Sequence, residues 1–550
     1  MQRTTKTIVP TWLPPQDRID FYREARYWRN ASVTEELRRC VDRFPERTAL
    51  RDSTSSLTFG ELWERAATVA SWLRARGLRP GEAVAFQLPN WTESDVIFHG
   101  VMMAGGVVVP MTSILRRREV GFILGQTGAR FAFVAERFRN FNFVGMYNEL
   151  LESDSHLESI VYVRAEREGS AIRLEDVESA APLPREQVAL SAGRGDDVAV
   201  VIYTSGTTAD PKGAIHTHDG IMSSTRMCES FFSLNENDVL FNPSPVTHIT
   251  GISLSFLFPA TFGCTTTILE AWDPENAFDI VARERSTFLM FSTPFLAALT
   301  EIAEARDVRL ADHIRTIVCG GADVPESLAE RANDRLGEVV RMYGATEAPN
   351  TSCGSAWDPA AKKRRTEGRW LFPVEARVVD PHSGREVDPG EVGEAWWRAP
   401  QMCLGYVDES LNDTSYTLDG YFRTGDLVRV DDGGYVTVSG RIKEIINRGG
   451  EKFSAREIEE MIAGLPMVAE VAVTPMSDPV LGERVCAWVV LREGRGLTLS
   501  ELSEHLLGYG LAKQKLPERL ETIEELPRTP SGKVRKQVLR DRVDEALAFT

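Results

Sequence analysis

The sequence predicts an α/β protein: a large N-terminal region of layered α/β subdomains, a small β subdomain, and a small α+β C-terminal region. Three observations carry that prediction. Up to residue 345, apolar β-branched runs alternate with stretches whose apolar residues recur at helical spacing, the pattern of largely parallel sheets covered by helices. From Trp370 to Val438 the runs shorten and are broken by Asp/Gly turns at Asp380, Pro389-Gly and Asp432-Gly-Gly. After Gly440 a compact tail of about a hundred residues alternates again.

Taken in order, residues 1 to about 30 read as a polar, aromatic-flecked arm. From Ser32 the pattern is helical, and Thr48-Ala-Leu-Arg-Asp52 and Ser55-Ser-Leu-Thr-Phe-Gly60 then read as strand and turn. Leu62 to Arg76 has helical spacing and ends at Gly77, a C-cap. Val84-Ala-Phe-Gln-Leu-Pro-Asn90 reads as a strand leading into another helix. The longest apolar stretch, Val96 to Val109, contains His99 and three glycines and is too short and broken to span a membrane. Ala181 to Asp197, with its Pro, Arg and Gly residues, reads as an exposed linker. The buried strands Asp197-Val-Ala-Val-Val-Ile202 and Arg315-Thr-Ile-Val-Cys319 follow, and Lys362-Lys-Arg-Arg365 reads as a solvated loop. In the tail, Ala455 to Ala463 and Leu499 to Leu507 are helical, and Val468 to Pro475 and Val485 to Leu491 are strands.

At 550 residues the chain exceeds one ordinary domain, and a hydrophobic content of 43% supplies sizeable cores. A net charge of −17 argues against nucleic acid as a general partner. The start, Met1-Gln-Arg-Thr-Thr-Lys6 followed by Thr11-Trp-Leu-Pro-Pro15, lacks the apolar core of a signal peptide. Seven scattered cysteines without a Cys-x-x-Cys pair point to free thiols in a reducing cytoplasm.

The most informative stretch is Tyr203-Thr-Ser-Gly-Thr-Thr-Ala-Asp-Pro-Lys-Gly-Ala-Ile-His-Thr-His218. Directly after a buried strand it crowds together four hydroxyls (Thr204, Ser205, Thr207, Thr208), two glycines (Gly206, Gly213) and Lys212. Backbone N–H groups, small hydroxyls and one cation are what a polyphosphate needs, and the glycines let the loop close around an anion. It is not the P-loop, in which Gly-Lys is followed by Ser or Thr; here Pro211 precedes the lysine and Gly213 follows it. The order of residues resembles the phosphate-binding signature of the AMP-forming adenylating superfamily, which includes acyl-CoA synthetases, peptide-synthetase adenylation domains and firefly luciferase. One departure is Ala209, where the family usually has glycine.

Six more stretches resemble that family's motifs, in its order. Pro245-Val-Thr-His-Ile-Thr-Gly251 implies a gate, His248, beside an acyl pocket shaped by Ile249, Thr250 and Gly251. Gly320-Gly321-Ala322 implies a turn against the adenine. Arg341-Met-Tyr-Gly-Ala-Thr-Glu347 implies Glu347 as the Mg²⁺ carboxylate and Thr346 at the α-phosphate or substrate carboxylate. In the same motif Tyr343 and Gly344 lie by the adenine and Ala345 by the acyl pocket. Tyr421-Phe-Arg-Thr-Gly-Asp-Leu427 implies Asp426 on the ribose hydroxyls, joined by Arg441. Ser439-Gly-Arg-Ile-Lys-Glu-Ile-Ile-Asn-Arg-Gly-Gly-Glu-Lys-Phe-Ser-Ala-Arg-Glu-Ile-Glu459 implies a hinge at Lys443 and a pantetheine tunnel lined by Gly449 and Gly450. Pro527-Arg-Thr-Pro-Ser-Gly-Lys533 implies Lys533 as the catalytic lysine bridging substrate carboxylate and α-phosphate.

The resemblance implies a two-step ligase using ATP, Mg²⁺ and CoA: a carboxylic acid becomes an acyl-adenylate, then a thioester. It divides the chain into an N-terminal adenylate-forming region, 1–440, and a mobile C-terminal lid, 441–550, and leaves a homodimer open. Ile446-Asn-Arg-Gly-Gly-Glu-Lys452 resembles both synthetases for medium-chain, alicyclic or polycyclic acids and aryl-acid AMP ligases that load carrier proteins. His248-Ile-Thr-Gly251 is closer to the CoA group. The alternatives are carrier loading, adenylation alone, and a non-catalytic adenylate-binding protein.

Overall fold

The computed structural model describes residues 6–153, 156–166, 171–204, 210–322, 324–449, 451–529 and 532–548. Two mixed sheets form the body. The larger runs, edge to edge, through Arg369–Trp370, Ser352–Cys353, Val339–Tyr343, Thr316–Gly320, Phe288–Phe291, Val239–Asn242, Thr265–Ile268, Thr48–Arg51 and Ser56–Thr58. Its central pairings are parallel, and the two ends are antiparallel. The second sheet orders Lys212–Thr217, Val198–Thr204, Val107–Pro110, Ala83–Gln87, Phe131–Ala135, Ser159–Val163 and Ile172–Arg173. It is parallel except for the Val198–Thr204/Lys212–Thr217 hairpin. Strands of this kind are buried on both faces, which is why they read as unbroken apolar runs.

Local chemistry sets the element ends. The Phe59–Ala75 helix opens with a capping box between Thr58 and Glu61 and buries Leu62, Trp63, Ala66, Val69, Ala70 and Leu73 at helical spacing. It stops at Arg76, and Gly77 follows at φ +79° as the predicted cap. The apolar stretch from Val96 divides between the Thr92–Met103 helix and the Val107–Pro110 strand. No helix among the described residues is long and apolar enough to cross a membrane.

The β subdomain is a four-stranded antiparallel sheet of Glu375–Val379, Val392–Arg398, Phe422–Val430 and Val436–Arg441. It is closed by an aromatic core in which Trp397 is fully buried against Tyr343 and Phe422. The tail is a further sheet in which the long Val468–Asp478 and Gly482–Leu491 strands pair antiparallel, with Arg519–Thr522 added parallel. Helices Ala455–Ala463, Leu499–Gly508 and Lys536–Ala548 cover it.

Three expectations need correction. The stretch read as a linker contains a helix, Arg185–Ser191, because Val188 has a buried site to fill beside the main core. The basic run Lys362–Arg365 ends a helix, Ala360–Arg365, instead of lying in a loop, and its charges are ion-paired at the surface. Carboxylates remote in sequence neutralise it: Asp431 for Lys362, Glu338 for Lys363, Glu330 for Arg364 and Glu326 for Arg365. The N-terminal arm is structured too. It forms the Gln16–Glu24 helix, and Tyr22 and Trp28 are buried.

Candidate active site

The hairpin between the last strands of the second sheet places Lys212 directly opposite Thr204. Ser205, Gly206, Thr207 and Thr208 lie outside the described residues, as does Gly450. Lys212 Nζ lies 5.9 Å from the ring centroid of Tyr406, whose hydroxyl reaches Glu347 beside the larger sheet, so the hairpin and that sheet form the two walls of the candidate cleft.

That second wall is made by two strand ends. Gly320 pairs with Met342 at the ends of adjacent parallel strands, so the Gly320–Ala322 turn and the Tyr343–Glu347 stretch lie side by side. After Tyr343 the chain doubles back: Ala345 and Ala348 exchange backbone hydrogen bonds at 3.1 and 3.2 Å, and Thr351 N–H returns to the Tyr343 carbonyl at 3.0 Å. Gly344, Thr346 and Glu347 are carried on this tight loop. His216 Nε2 donates to the Thr346 carbonyl at 2.9 Å. Burial pushes that imidazole down to about 4, so it is a neutral, Nε2-protonated ring at pH 7.

The β subdomain supplies the next pair. Asp426 and Arg441 are opposite residues on adjacent strands. Arg441 Nε lies 2.7 Å from Asp426 Oδ1, and the Tyr343 hydroxyl donates to Asp426 Oδ2 at 2.8 Å. Burial and the Asp426 carboxylate hold the Tyr343 phenol well above its usual range, so it stays a donor. A carboxylate offers roughly four lone-pair sites, so this buried aspartate keeps acceptor capacity for two further hydroxyls.

Lys533 enters the cleft from the tail. Its loop is closed by Thr529 N–H to Lys533 O at 2.8 Å, Arg528 to Gly532 O at 2.7 Å and Arg535 N–H to Pro527 O at 2.7 Å. The loop rests on the start of the Thr293–Ala305 helix: a Cβ on Gly532 would come within 3.0 Å of Ser292 Oγ and 3.3 Å of Pro294 Cγ. The lysine then passes over Gly321, whose φ of +77° admits only a glycine comfortably and whose missing Cβ would sit 3.7 Å from Lys533 Cε. Desolvation, followed by the Arg441 charge, lowers the Lys533 pKa, while Asp426, Glu347 and Glu444 pull it back up.

His248 caps the short Ile249–Ile252 helix, its Nδ1 accepting from Thr250 N–H at 3.3 Å. Burial and then the Lys533 charge push the imidazole down to about 4. Ile249 is buried, Thr250 partly exposed, and Gly251 lies in the same turn. The helix then widens into a π-turn, Ser253–Leu257, and Thr266 Oγ1 donates to the Leu254 carbonyl at 2.6 Å. Such π-turns occur often at functional sites.

The structure therefore brings together Lys533, Gly321, His248, Asp426, Arg441, Tyr343 and Glu347, which span almost three hundred residues of sequence. Gly449 stands apart from this group, in the tail sheet beside Leu481, and Lys443 lies in a single 3₁₀ turn, Ile442–Glu444. Sequence reasoning assigned nothing to His216 or Tyr406. His216 lies inside the signature stretch, but a histidine in a strand carries no signal of its own. Tyr406 belongs to no quoted motif.

The sequence model of the AMP-binding enzyme family matches residues 37–407, and that of the AMP-binding enzyme C-terminal domain matches residues 457–533. The chain belongs to the AMP-binding enzyme family. It is 32% identical to the medium-chain fatty-acid–CoA ligase of Escherichia coli K12, across 96% of this chain and 93% of that one. It is 31% identical to pyochelin synthase PchD of Pseudomonas aeruginosa PAO1, across 98% and 97%. Among solved structures, ATP-bound MatB of Rhodopseudomonas palustris superimposes with a TM-score of 0.84 at 26% identity, covering 94% of this chain and 99% of that one. The protein is an adenylate-forming enzyme of the acid–CoA ligase family, and use of ATP and CoA fits that family.

Proposed function

We propose that the protein activates a carboxylic acid with ATP to an acyl-adenylate, releasing pyrophosphate, and then transfers the acyl group to CoA. The observation that carries this reading is Lys533, delivered from the tail into a cleft that already holds Asp426, Arg441, Tyr343 and Glu347. A cation there meets two anions at once, the attacking carboxylate and the α-phosphate, and offsets their repulsion as the bond forms. Lys212 and the hydroxyls of its hairpin take the outgoing phosphates, and Thr346 takes the α-phosphate or the carboxylate. Asp426 and Arg441 hold the ribose, and Tyr343, Gly344 and the Gly320–Ala322 turn flank the adenine.

Among the described residues no group of three or more His, Cys, Asp or Glu side chains could form a metal cluster. A lone carboxylate suits Mg²⁺, which draws most of its oxygens from water and substrate phosphate, and Glu347 is the residue we assign to it. When bound, that ion neutralises phosphate charge.

In our reading the chain divides into an adenylating region, 1–440, and a lid, 441–550, turning about Lys443. Rotation withdraws Lys533 and presents Gly449 and Gly450 to the pantetheine arm. The protein is read as cytoplasmic; all seven thiols are free and buried, which supports that assignment. A homodimer is compatible with this reading.

The test is purified protein with ATP, Mg²⁺ and a panel of acids. Acyl-CoA formation with stoichiometric AMP and pyrophosphate is expected. Pyrophosphate release without CoA consumption would favour carrier loading or adenylation alone, and neither product with any acid would favour a non-catalytic binder.

The acyl pocket gives a separate expectation. If His248 gates it, with Ile249, Thr250, Gly251 and Ala345 as walls, His248→Ala changes the acid profile and raises KM for the acid more than KM for ATP. An unchanged profile across the panel would leave His248 with only its helix-capping role.

A further inference from the structure

Residues 403–407 form a strap between the two walls of the cleft. On one side they extend the free edge of the Lys212–Thr217 strand: Leu404 N–H donates to Ile215 O at 2.7 Å, Ile215 N–H to Gly405 O at 3.0 Å, and Val407 N–H to Gly213 O at 2.9 Å. On the other side Cys403 N–H donates to the Glu347 carbonyl at 2.7 Å. The Tyr406 hydroxyl donates to Glu347 Oε1 at 2.8 Å. The face of the same ring looks toward Lys212, whose Nζ lies 5.9 Å from the ring centroid. One buried tyrosine thus hydrogen-bonds one of the charged groups assigned to the phosphates and presents its ring face to the other.

We propose that Tyr406 is a positioning residue, which aims the Glu347 carboxylate at the metal–nucleotide complex and holds it in register with Lys212. This rests on the reading of Glu347 as the magnesium carboxylate. The physical need is plain. Glu347 sits on a tight loop beside Gly344, Ala345 and Ala348, and among the side-chain hydrogen bonds of the described residues its carboxylate receives one donor, the Tyr406 hydroxyl. A hydroxyl at Oε1 fixes the carboxylate in rotation and leaves lone pairs for a cation, in the way partners behind a metal ligand orient it. An ordinary phenol carries its proton at neutral pH, so the Tyr406 hydroxyl is a donor there.

The tyrosine is itself held from behind. Asn412 Oδ1 accepts from Tyr406 N–H at 3.1 Å, and Thr11 Oγ1 donates to Tyr406 O at 2.7 Å. Thr11 and Trp12 N–H groups both reach Leu404 O, at 3.0 and 3.1 Å, and Trp12 stacks on Tyr416 at 4.0 Å. A Cβ on Gly405 would fall 2.1 Å from Thr11 Oγ1, and φ there is +95°, so glycine is what lets the N-terminal arm close on the strap.

The test measures ATP binding by calorimetry to the full chain, with Mg²⁺ and with EDTA, for wild type, Tyr406→Phe, Glu347→Gln and the double variant. Wild type binds ATP more tightly with Mg²⁺. Tyr406→Phe loses about tenfold of that Mg²⁺-dependent gain, the low end for removing a partner behind a metal ligand, while affinity in EDTA is unchanged. In the Glu347→Gln background Tyr406→Phe has no further effect on the gain, because the two act as one unit. A full gain in Tyr406→Phe, an equal loss with and without Mg²⁺, or an additive loss in the double variant overturns the proposal. Were Tyr406→Phe to misfold, Thr11→Val frees the Tyr406 carbonyl without touching the cleft, and an unchanged gain there overturns it instead. A wild type whose ATP affinity ignores Mg²⁺ removes the magnesium role of Glu347 and the proposal with it. Failure to turn over any acid, with the binding pattern intact, strikes the proposed activity alone.

Discussion

Lys533→Ala is expected to slow acyl-adenylate formation about 10²–10³-fold, the loss of ~2.7–4 kcal/mol that follows removal of one preorganised charge at a reacting centre. The side chain passes over Gly321 and feels the charges of Arg441, Asp426 and Glu347, so it is one fixed cation among the groups of the cleft. Pyrophosphate release in a single turnover measures this step. Thioester formation from supplied acyl-adenylate and CoA should largely survive, because our reading withdraws Lys533 before the thiol attacks. Equal loss of both half-reactions would reject the assignment. The same lysine predicts a pH profile. Desolvation and Arg441 lower its pKa from the ordinary 10.5, and for a lysine the useful cation is lost as pH rises through that lowered value. The alkaline limb of kcat/KM, which reports the free enzyme, therefore falls below 10.5. The limb of kcat lies higher, because bound phosphates restore the cation. Lys533→Ala removes both limbs if the lysine is their source.

The features legible in the sequence are those whose cause is local. A buried parallel strand is apolar along its whole length, so Val198–Thr204 and Thr316–Gly320 announce themselves. A capped amphipathic helix such as Phe59–Ala75 carries its own start and stop. The motif residues are legible for another reason: each falls in a short window whose order of residues resembles a family motif. What stayed hidden is set by contact between remote segments. Arg185–Ser191 offers only one turn's worth of apolar signal, and its helix is made worthwhile by the buried site that Val188 fills. Lys362–Arg365 looks like a solvated charge run because its carboxylate partners lie up to 69 residues away. Tyr406 meets Glu347 across 59 residues, and only because the strap between them adds to a free strand edge. No spacing rule reports such a contact.

Lys443→Pro is expected to separate the two half-reactions. Lys443 is the middle residue of a single 3₁₀ turn, Ile442–Glu444, which lies between the last strand of the β subdomain, Val436–Arg441, and the first strand of the tail sheet, Ile445–Arg448. Hinges concentrate large backbone changes in a few such element-terminal positions. Proline holds φ near roughly −65°, which is a 3₁₀ value, so it opposes a large change of φ at residue 443. The orientation it would lock has Lys533 in the cleft, beside Gly321 and Asp426. The first turnover should then release pyrophosphate at close to the normal rate, while CoA thioester formation falls by orders of magnitude. ATP affinity should change little, because Lys212, Tyr343, Asp426 and Glu347 are untouched. Ile442 precedes the new proline and is pushed toward extended backbone, so a melting curve must accompany the kinetics. A folded Lys443→Pro protein that makes thioester at the normal overall rate would remove Lys443 as the hinge. The proposal that one cleft serves two chemistries by turning the lid about this residue would go with it.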